Sequence, residues 1–236
     1  LARQAGATLV SGKKRKVNFD ADQMVKVFQG GSSVEANWIL PNDFTLTSIT
    51  AYRWWDFTPR NDDGLNVPAA YNAGVSVRDK QYSQELRLAS PTGGAFDYVL
   101  GAYYFKQDLD NRSFTYYGPQ ADIWNATPSG ALADVTTLGD GHIDTDSYAL
   151  FAQGTWHLTD RLDFTAGVRG TYEEKNAWVT RDAPLGGATV TGAAATARQG
   201  RVGAYDSGDL SQYSFAPSGL LSLSYRFNDQ VLGYAS

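Results

Sequence analysis

The chain has 236 residues, with 25 acidic against 20 basic side chains and a net charge of −5, which excludes the concentrated basic face that nucleic-acid binding needs. It has no cysteine, so neither a disulfide framework nor a thiolate metal site can form. No run of about 18 apolar residues occurs, which excludes a spanning helix, while 14 Tyr and 6 Trp are the kind of supply that gathers where a protein surface meets a bilayer interface.

Four hairpins follow one another along the chain. SVEANWIL (33–40) and FTLTSITAYRWW (44–55) flank Pro41-Asn42-Asp43, and RDKQYSQELRLAS (78–90) and FDYVLGAYYFKQ (96–107) flank residues 91–95. DSYALFAQGTWHL (146–158) and LDFTAGVRGTYEEK (162–175) flank Thr159-Asp160-Arg161, and SFAPSGLLSLSYRF (214–227) and VLGYAS (231–236) flank Asn228-Asp229-Gln230. Each short turn carries the Pro, Asn, Asp or Gly that tight connections require.

The strand at 162–175 shows the pattern most clearly. Leu162, Phe164, Ala166, Val168, Gly170 and Tyr172 alternate strictly with Asp163, Thr165, Gly167, Arg169, Thr171 and Glu173. Successive side chains of a strand point to opposite faces, so this is a strand with one apolar and one polar side. Strand 96–107 shows no clear phase, because Asp97 and Lys106 would lie on opposite faces.

Between the hairpins, 56–77, 108–145 and 176–213 read as long polar loops, with 186–203 a Gly-, Ala- and Thr-rich stretch expected to be mobile. Structureless loops of this length are uncommon in compact soluble domains. Short turns alternating with long loops mark an outer-membrane barrel instead, the short turns periplasmic and the long loops extracellular. The fold expected is therefore all-β, an antiparallel up-and-down transmembrane β-barrel, present as a partial barrel of about eight strands. Trp38, Trp156, Tyr225 and Phe227 lie beside short turns as a periplasmic girdle. Tyr52, Trp54, Tyr104, Tyr148 and Tyr172 form the outer one. Charges cost about 2–4 kcal/mol on the lipid face at mid-membrane, so Glu85, Arg87, Arg169, Glu173 and Arg226 are expected to face the lumen.

LTSITAYRWW (46–55), QYSQELRLASP (81–91) with GAYYF (101–105), YALFAQGTWHLTDRLDFTAGVR (148–169) and LSLSYRFNDQVLGYAS (221–236), in this order, resemble the barrel of TonB-dependent outer-membrane receptors, especially those of alphaproteobacteria. The resemblance runs from about residue 30 to the C-terminus. It implies residues 31–236 as a partial receptor barrel and 1–30 as an extracellular loop or preceding barrel segment. It also implies a 22-stranded parent barrel whose lumen is plugged, with the plug and the TonB box lying outside this chain. Since the last strand stops mid-pattern at Ser236, the expectation is an open arc of a larger barrel, with strands 33–40 and 231–236 unpaired with each other.

The residues offer no catalytic set, so no enzyme activity and no cofactor are expected. His142 and His157 read as structural or solvated. Asp140, Asp144 and Asp146 lack the spacing and terminal Glu of a Ca²⁺ loop and read as an acidic flank, as do Asp62 and Asp63. The basic run Gly-Lys-Lys-Arg-Lys (12–16) reads as a solvated loop whose cations could meet lipopolysaccharide phosphates. Tyr116, Tyr117 and Trp124 are the best ligand-binding candidates, because aromatics give large contact area at low entropy cost. The alternative role for these rings is packing the loop onto the barrel rim.

The resemblance implies an outer-membrane receptor importing a scarce nutrient (a ferric siderophore, a cobalamin-like molecule or a glycan), with the TonB complex, outer-membrane lipid and lipopolysaccharide as partners. Two rivals stay open: a complete small barrel acting as a passive pore or adhesin, and a secreted carbohydrate-binding β-sandwich.

Overall fold

The computed structural model describes residues 22–62 and 72–236, with a few isolated positions before residue 22. The basic run 12–16 lies largely outside the described residues, and Asp63 lies outside them. One antiparallel sheet contains every described strand. Its long members are β1 (Met24–Ile39), β2 (Thr45–Asp62), β3 (Asn72–Ala89), β4 (Phe96–Tyr117), β5 (Val135–Thr159), β6 (Leu162–Arg181), β9 (Leu210–Asn228) and β10 (Val231–Ala235). Two-residue strands β7 (Leu185–Gly186) and β8 (Tyr205–Asp206) pair with β5 and β6. The order β1-β2-β3-β4-β5-β6-β9-β10 is an up-and-down meander, as the hairpin pattern requires, and β1 and β10 are the two free edges.

A single sheet with sequential neighbours is incompatible with a β-sandwich, which needs two packed sheets. The short turns fall where the Pro/Asn/Asp/Gly clusters lie. The first is a 3-10 turn over Pro41–Asp43 whose Asn42 and Asp43 sit in the left-handed region, at φ 62° and 59°, which Asn and Asp tolerate better than most residues.

The continuous register sorts side chains into two faces, because residues paired directly across an antiparallel ladder share a face. One row runs Trp38, Leu46, Leu88, Leu100, Ala152, Val168, Gly219 across seven strands, and the next runs Ala36, Ser48, Leu86, Ala102, Leu150, Gly170, Pro217. No charge interrupts these rows. Leu150 and Val168 are 71% and 67% exposed, so this outer face is an uncharged, largely apolar surface that no other described part of the chain covers. Its few polar groups, such as Thr50, Gln84 and Ser48, are bonded to one another. The opposite, inner face holds Thr145, Ser147 and Ala149, all buried.

Aromatic pairs bound the apolar band at both ends. On the short-turn side Trp156 stacks on Phe96 (4.5 Å) and on Phe164 (5.9 Å). On the other side Tyr104 meets Tyr148 (5.0 Å) and Tyr82 (6.2 Å), and Tyr172 stacks on Tyr213 (6.5 Å). From position 164 to 172, at about 3.3 Å per residue and a tilt near 40°, the band is about 20 Å high. Among the described residues no helix is long and apolar enough to cross a membrane.

Three expectations need correction. The strands continue well past the outer girdle, so the stretches at 56–77 and 108–145 are largely ladder, with β2 reaching Asp62, β4 reaching Tyr117 and β5 starting at Val135. Polar residues occupy both faces there, which removes the alternation that would have announced strand. The 186–203 stretch is not a structureless loop: it contains helix α2 (Gly192–Val202), whose small residues pack closely instead of merely adding flexibility. Strand 96–107 does have a phase. Leu100, Ala102 and Tyr104 face outward, and Gly101, Tyr103 and Phe105 face inward. The signal was hidden because its inner side is aromatic as well.

Candidate functional site

Above the outer girdle the outer face turns from apolar to charged. Phe28, Asp56, Arg78, Asp110, His142 and Trp178 form one row across six strands. Arg78 pairs with Asp56 at 3.5 Å, Arg112 with Asp140 at 3.1 Å, and Lys106 with Asp144 and Asp146 at 3.2 and 3.4 Å. The three aspartates of the acidic flank thus lie on strand β5 and bind cations of β4, which explains their spacing without a Ca²⁺ loop. His142 donates through Nδ1 to Asp110 Oδ1 at 2.9 Å and stacks on Trp178. Asp108, Asp110 and His142 bring three donor atoms within 4.8 Å, the one such group among the described residues. Of these, His142 and Asp110 are already paired with each other.

On the inner face the sequence-predicted charges take local partners. Arg87 donates to Glu85 through Nε. Arg169 lies 5.5 Å over the Tyr103 ring and 5.8 Å from that of Phe151, and donates to Thr171 Oγ1 at 3.1 Å. Glu173 meets Lys175 Nζ at 2.9 Å. Arg226 neighbours outward Tyr225 on β9 and so falls on the inner side, with Ser224. Near the short-turn end, His157 has Asp163 at 2.6 Å from Nδ1 and Asp97 at 3.0 Å from Nε2, a polar clasp joining β4, β5 and β6 that places Asp97 on the inner face.

The aromatic candidates do not converge. Tyr116 and Tyr117 are adjacent in β4 and so face opposite sides. Tyr116 is 40% exposed and donates its hydroxyl to Asp134 Oδ1 at 3.0 Å. Partial burial, and then that hydrogen bond, raise its pKa above the usual tyrosine value. Tyr117 packs on a small core of Ala121, Ala131, Leu132, Val135 and Val202. Trp124 lies on helix α1 (Ala121–Asn125) beside that core.

This core is the molecule's one water-excluding cluster among the described residues, and it clamps the β4–β5 connection to α2. Arg198 donates to the carbonyls of Ala131 (2.9 Å) and Gly130 (2.6 Å), and Arg181 to that of Gly203 (2.8 Å). Buried Asp122 accepts from Thr127 Oγ1, Gly130 N and Leu132 N at 2.7–2.8 Å. Two of the long connections are thereby a built rim.

Sequence reading missed a polar recess just above the outer girdle, lined by Gln29, Arg53, Trp54, Trp55, Asp79 and Gln81, all but Trp54 on the inner face. Its one legible signal was the QYSQ pattern, which sets Asp79 and Gln81 in phase with Ser83 and Glu85.

Comparison with known families and structures agrees with this geometry. The family model described as TonB dependent receptor-like, beta-barrel matches residues 5–236. Three solved structures are similar in fold. The ferric yersiniabactin uptake receptor FyuA from Yersinia pestis has a TM-score of 0.65 and 16% identity over 89% of this chain and 27% of its own. The ferric-catecholate import receptor Fiu from E. coli K12, open form, has 0.56 and 10% over 89% and 35%. The siderophore receptor PiuA from Acinetobacter baumannii has 0.55 and 15% over 88% and 31%. The chain therefore spans about a third or less of these receptors. Comparison with curated proteins gave no match.

Proposed function

The chain belongs to the TonB-dependent receptor β-barrel family, and from that membership we propose that it forms part of the wall of a bacterial outer-membrane receptor that imports a scarce nutrient using energy delivered through TonB. Residues 31–236 are wall. Residues 1–30 are an extracellular loop or a preceding barrel segment, of which residues 24–30 already belong to strand β1. The family is one of transport receptors rather than enzymes, and its barrels reside in the outer membrane of Gram-negative bacteria.

The observation that carries the reading is the belted, uncharged outer face on an open eight-strand arc. Both edges leave backbone groups unpaired, which lipid does not tolerate, so the arc needs further strands to close. An eight-stranded pore would need its edges to meet. In the complete receptor a plug domain would fill the lumen and contact the TonB complex. Lipid would cover the rows through Leu150 and Val168, and lipopolysaccharide would meet the charged outer rows above the girdle. The rim built on α1 and α2, with Tyr116, Tyr117 and Trp124, would frame the entrance for ligand, whether a ferric siderophore, a cobalamin-like molecule or a glycan. The lumen charges Glu85, Arg87, Arg169, Glu173 and Arg226 would face the plug.

The test is growth of the source bacterium on limiting iron, cobalamin or oligosaccharide, with the full-length gene deleted, with TonB deleted, and with both. The expected result is one nutrient on which either deletion gives the same loss and the double deletion no more. Receptor-dependent growth that persists without TonB would contradict the reading.

A further inference from the structure

We propose that a trough in the outer face along β5 is a phospholipid site, holding one acyl chain of a lipid whose phosphate meets Arg161. The inference rests on the reading of the chain as outer-membrane wall and adds to it one specific lipid partner. The trough has a volume of about 400 Å³. It arises from residue size in two neighbouring rows, Leu100-Ala152-Val168 and Tyr98-Gly154-Ala166. Tyr98 and Leu100 make a ridge on β4 and Val168 one on β6, over a floor of Ala152, Gly154 and Ala166.

The trough has defined ends. Its foot is aromatic, because Trp156 stacks between Phe96 (4.5 Å) and Phe164 (5.9 Å). The Phe96 ring lies over Gly154, where a Cβ would meet it at 2.5 Å, so this floor position admits only glycine. In the row above, Ala102-Leu150-Gly170, the large residue stands on β5 itself, and the furrow stops. An empty furrow forfeits dispersion contacts along its whole lining. On a face that no other described part of the chain covers, the filler is hydrocarbon from the membrane, continuous with the lipid around Leu150 and Val168.

Charge at the foot decides what carries that chain. The trough opens toward the short turns, the periplasmic side of such a barrel, so a chain lying along β5 brings its headgroup to the β5–β6 turn. Asp160 and Arg161 occupy that turn, both exposed and neither in an ion pair among the described residues. Arg161 is three residues from Phe164, about 10 Å along the strand. The turn is held in place: Arg161 N donates to Thr159 Oγ1 at 3.2 Å and its carbonyl accepts from Arg226 N at 2.8 Å. A guanidinium suits phosphate oxygens, and the neighbouring carboxylate suits an ammonium, so the pair matches a zwitterionic phosphate–ammonium headgroup. A second copy of the barrel seated in the trough would leave Arg161 without a role.

The test uses the full-length receptor, purified from an outer membrane in mild detergent, stripped of lipid and titrated with palmitoyl-oleoyl-phosphatidylethanolamine under native mass spectrometry. Saturable binding is expected. Ala166→Leu fills the floor and should weaken one bound lipid about tenfold, the loss of roughly ten carbon contacts. Arg161→Ala should weaken the same lipid about fivefold, the share of one cation beside a lipid headgroup. Ala102→Leu, on the same face but outside the trough, should leave binding unchanged. A heat-modifiable barrel that binds no lipid saturably overturns the site and leaves the transport reading standing. Binding unchanged in Ala166→Leu or in Arg161→Ala, or weakened as much in Ala102→Leu, does the same. A receptor dimer that Ala166→Leu dissociates also overturns it, giving the trough to a second copy. Failure of the wild-type protein to enter the outer membrane overturns both.

Discussion

The lipid-band wall and the rim above it are built from the same β4, β5 and β6 chains, yet different forces hold them. In the band the chain has almost no interior of its own. Leu150, Val168 and Leu221 are 66–71% exposed, and cohesion comes from continuous ladders and a solvent that must be hydrocarbon. At the rim a handful of residues, Leu132, Val135 and Val202 among them, are 0–1% exposed, and a buried aspartate and an arginine latch two connections together. The wall is stable only where water is absent outside it. The rim makes its own dry interior, and so behaves like a fragment of a soluble protein placed on a membrane wall.

Breaking that comparison should give unequal effects. Val168→Arg puts a charge at the centre of the outer face and should cost about 2–4 kcal/mol in a lipid refolding titration of the full-length receptor, while Thr165→Arg, on the inner face, should cost much less. Equal tolerance of the two would refute the face assignment. Asp122→Ala strands the buried amide of Leu132 and the half-buried amide of Gly130 and should cost the rim about 2–3 kcal/mol. It should read as faster proteolysis between 118 and 134 with no loss of the folded barrel. Arg198→Ala removes two bonds to carbonyls from a half-buried side chain and should loosen α2 by about 1–2 kcal/mol, seen as faster amide exchange across 192–202. Tyr116→Phe loses one hydrogen bond at an exposed tip and should cost about 0.5–1 kcal/mol, close to the limit of a denaturant titration.

The same contrast explains what was legible in the residues. Period-two alternation at 162–172 and 221–227 declared the lipid face, and Pro41-Asn42-Asp43 and its counterparts declared the turns, because both are local rules. The rim obeys no local rule. Asp110, Arg112 and Asp140 read as loop until their cross-strand partners are known, and Gly192–Val202 reads as low complexity until Arg198 is seen to reach the carbonyls of Gly130 and Ala131, more than sixty residues away. Strand 96–107 hid its phase because Tyr103 and Phe105 make its inner side aromatic as well, with Tyr103 lying under Arg169. The Asp79 recess needs three strands in register before its residues meet. Single positions could not show that.

The central claim is that the face carrying Leu150, Val168 and Leu221 meets lipid and the other meets the lumen. Spin labels placed singly along 162–173 of the full-length receptor in bilayers, read for collision with oxygen and with a water-soluble nickel chelate, test it directly. Oxygen accessibility should peak at 164, 166, 168 and 170, with nickel accessibility higher at 163, 165, 167 and 169. A reversed phase, or none, would contradict it.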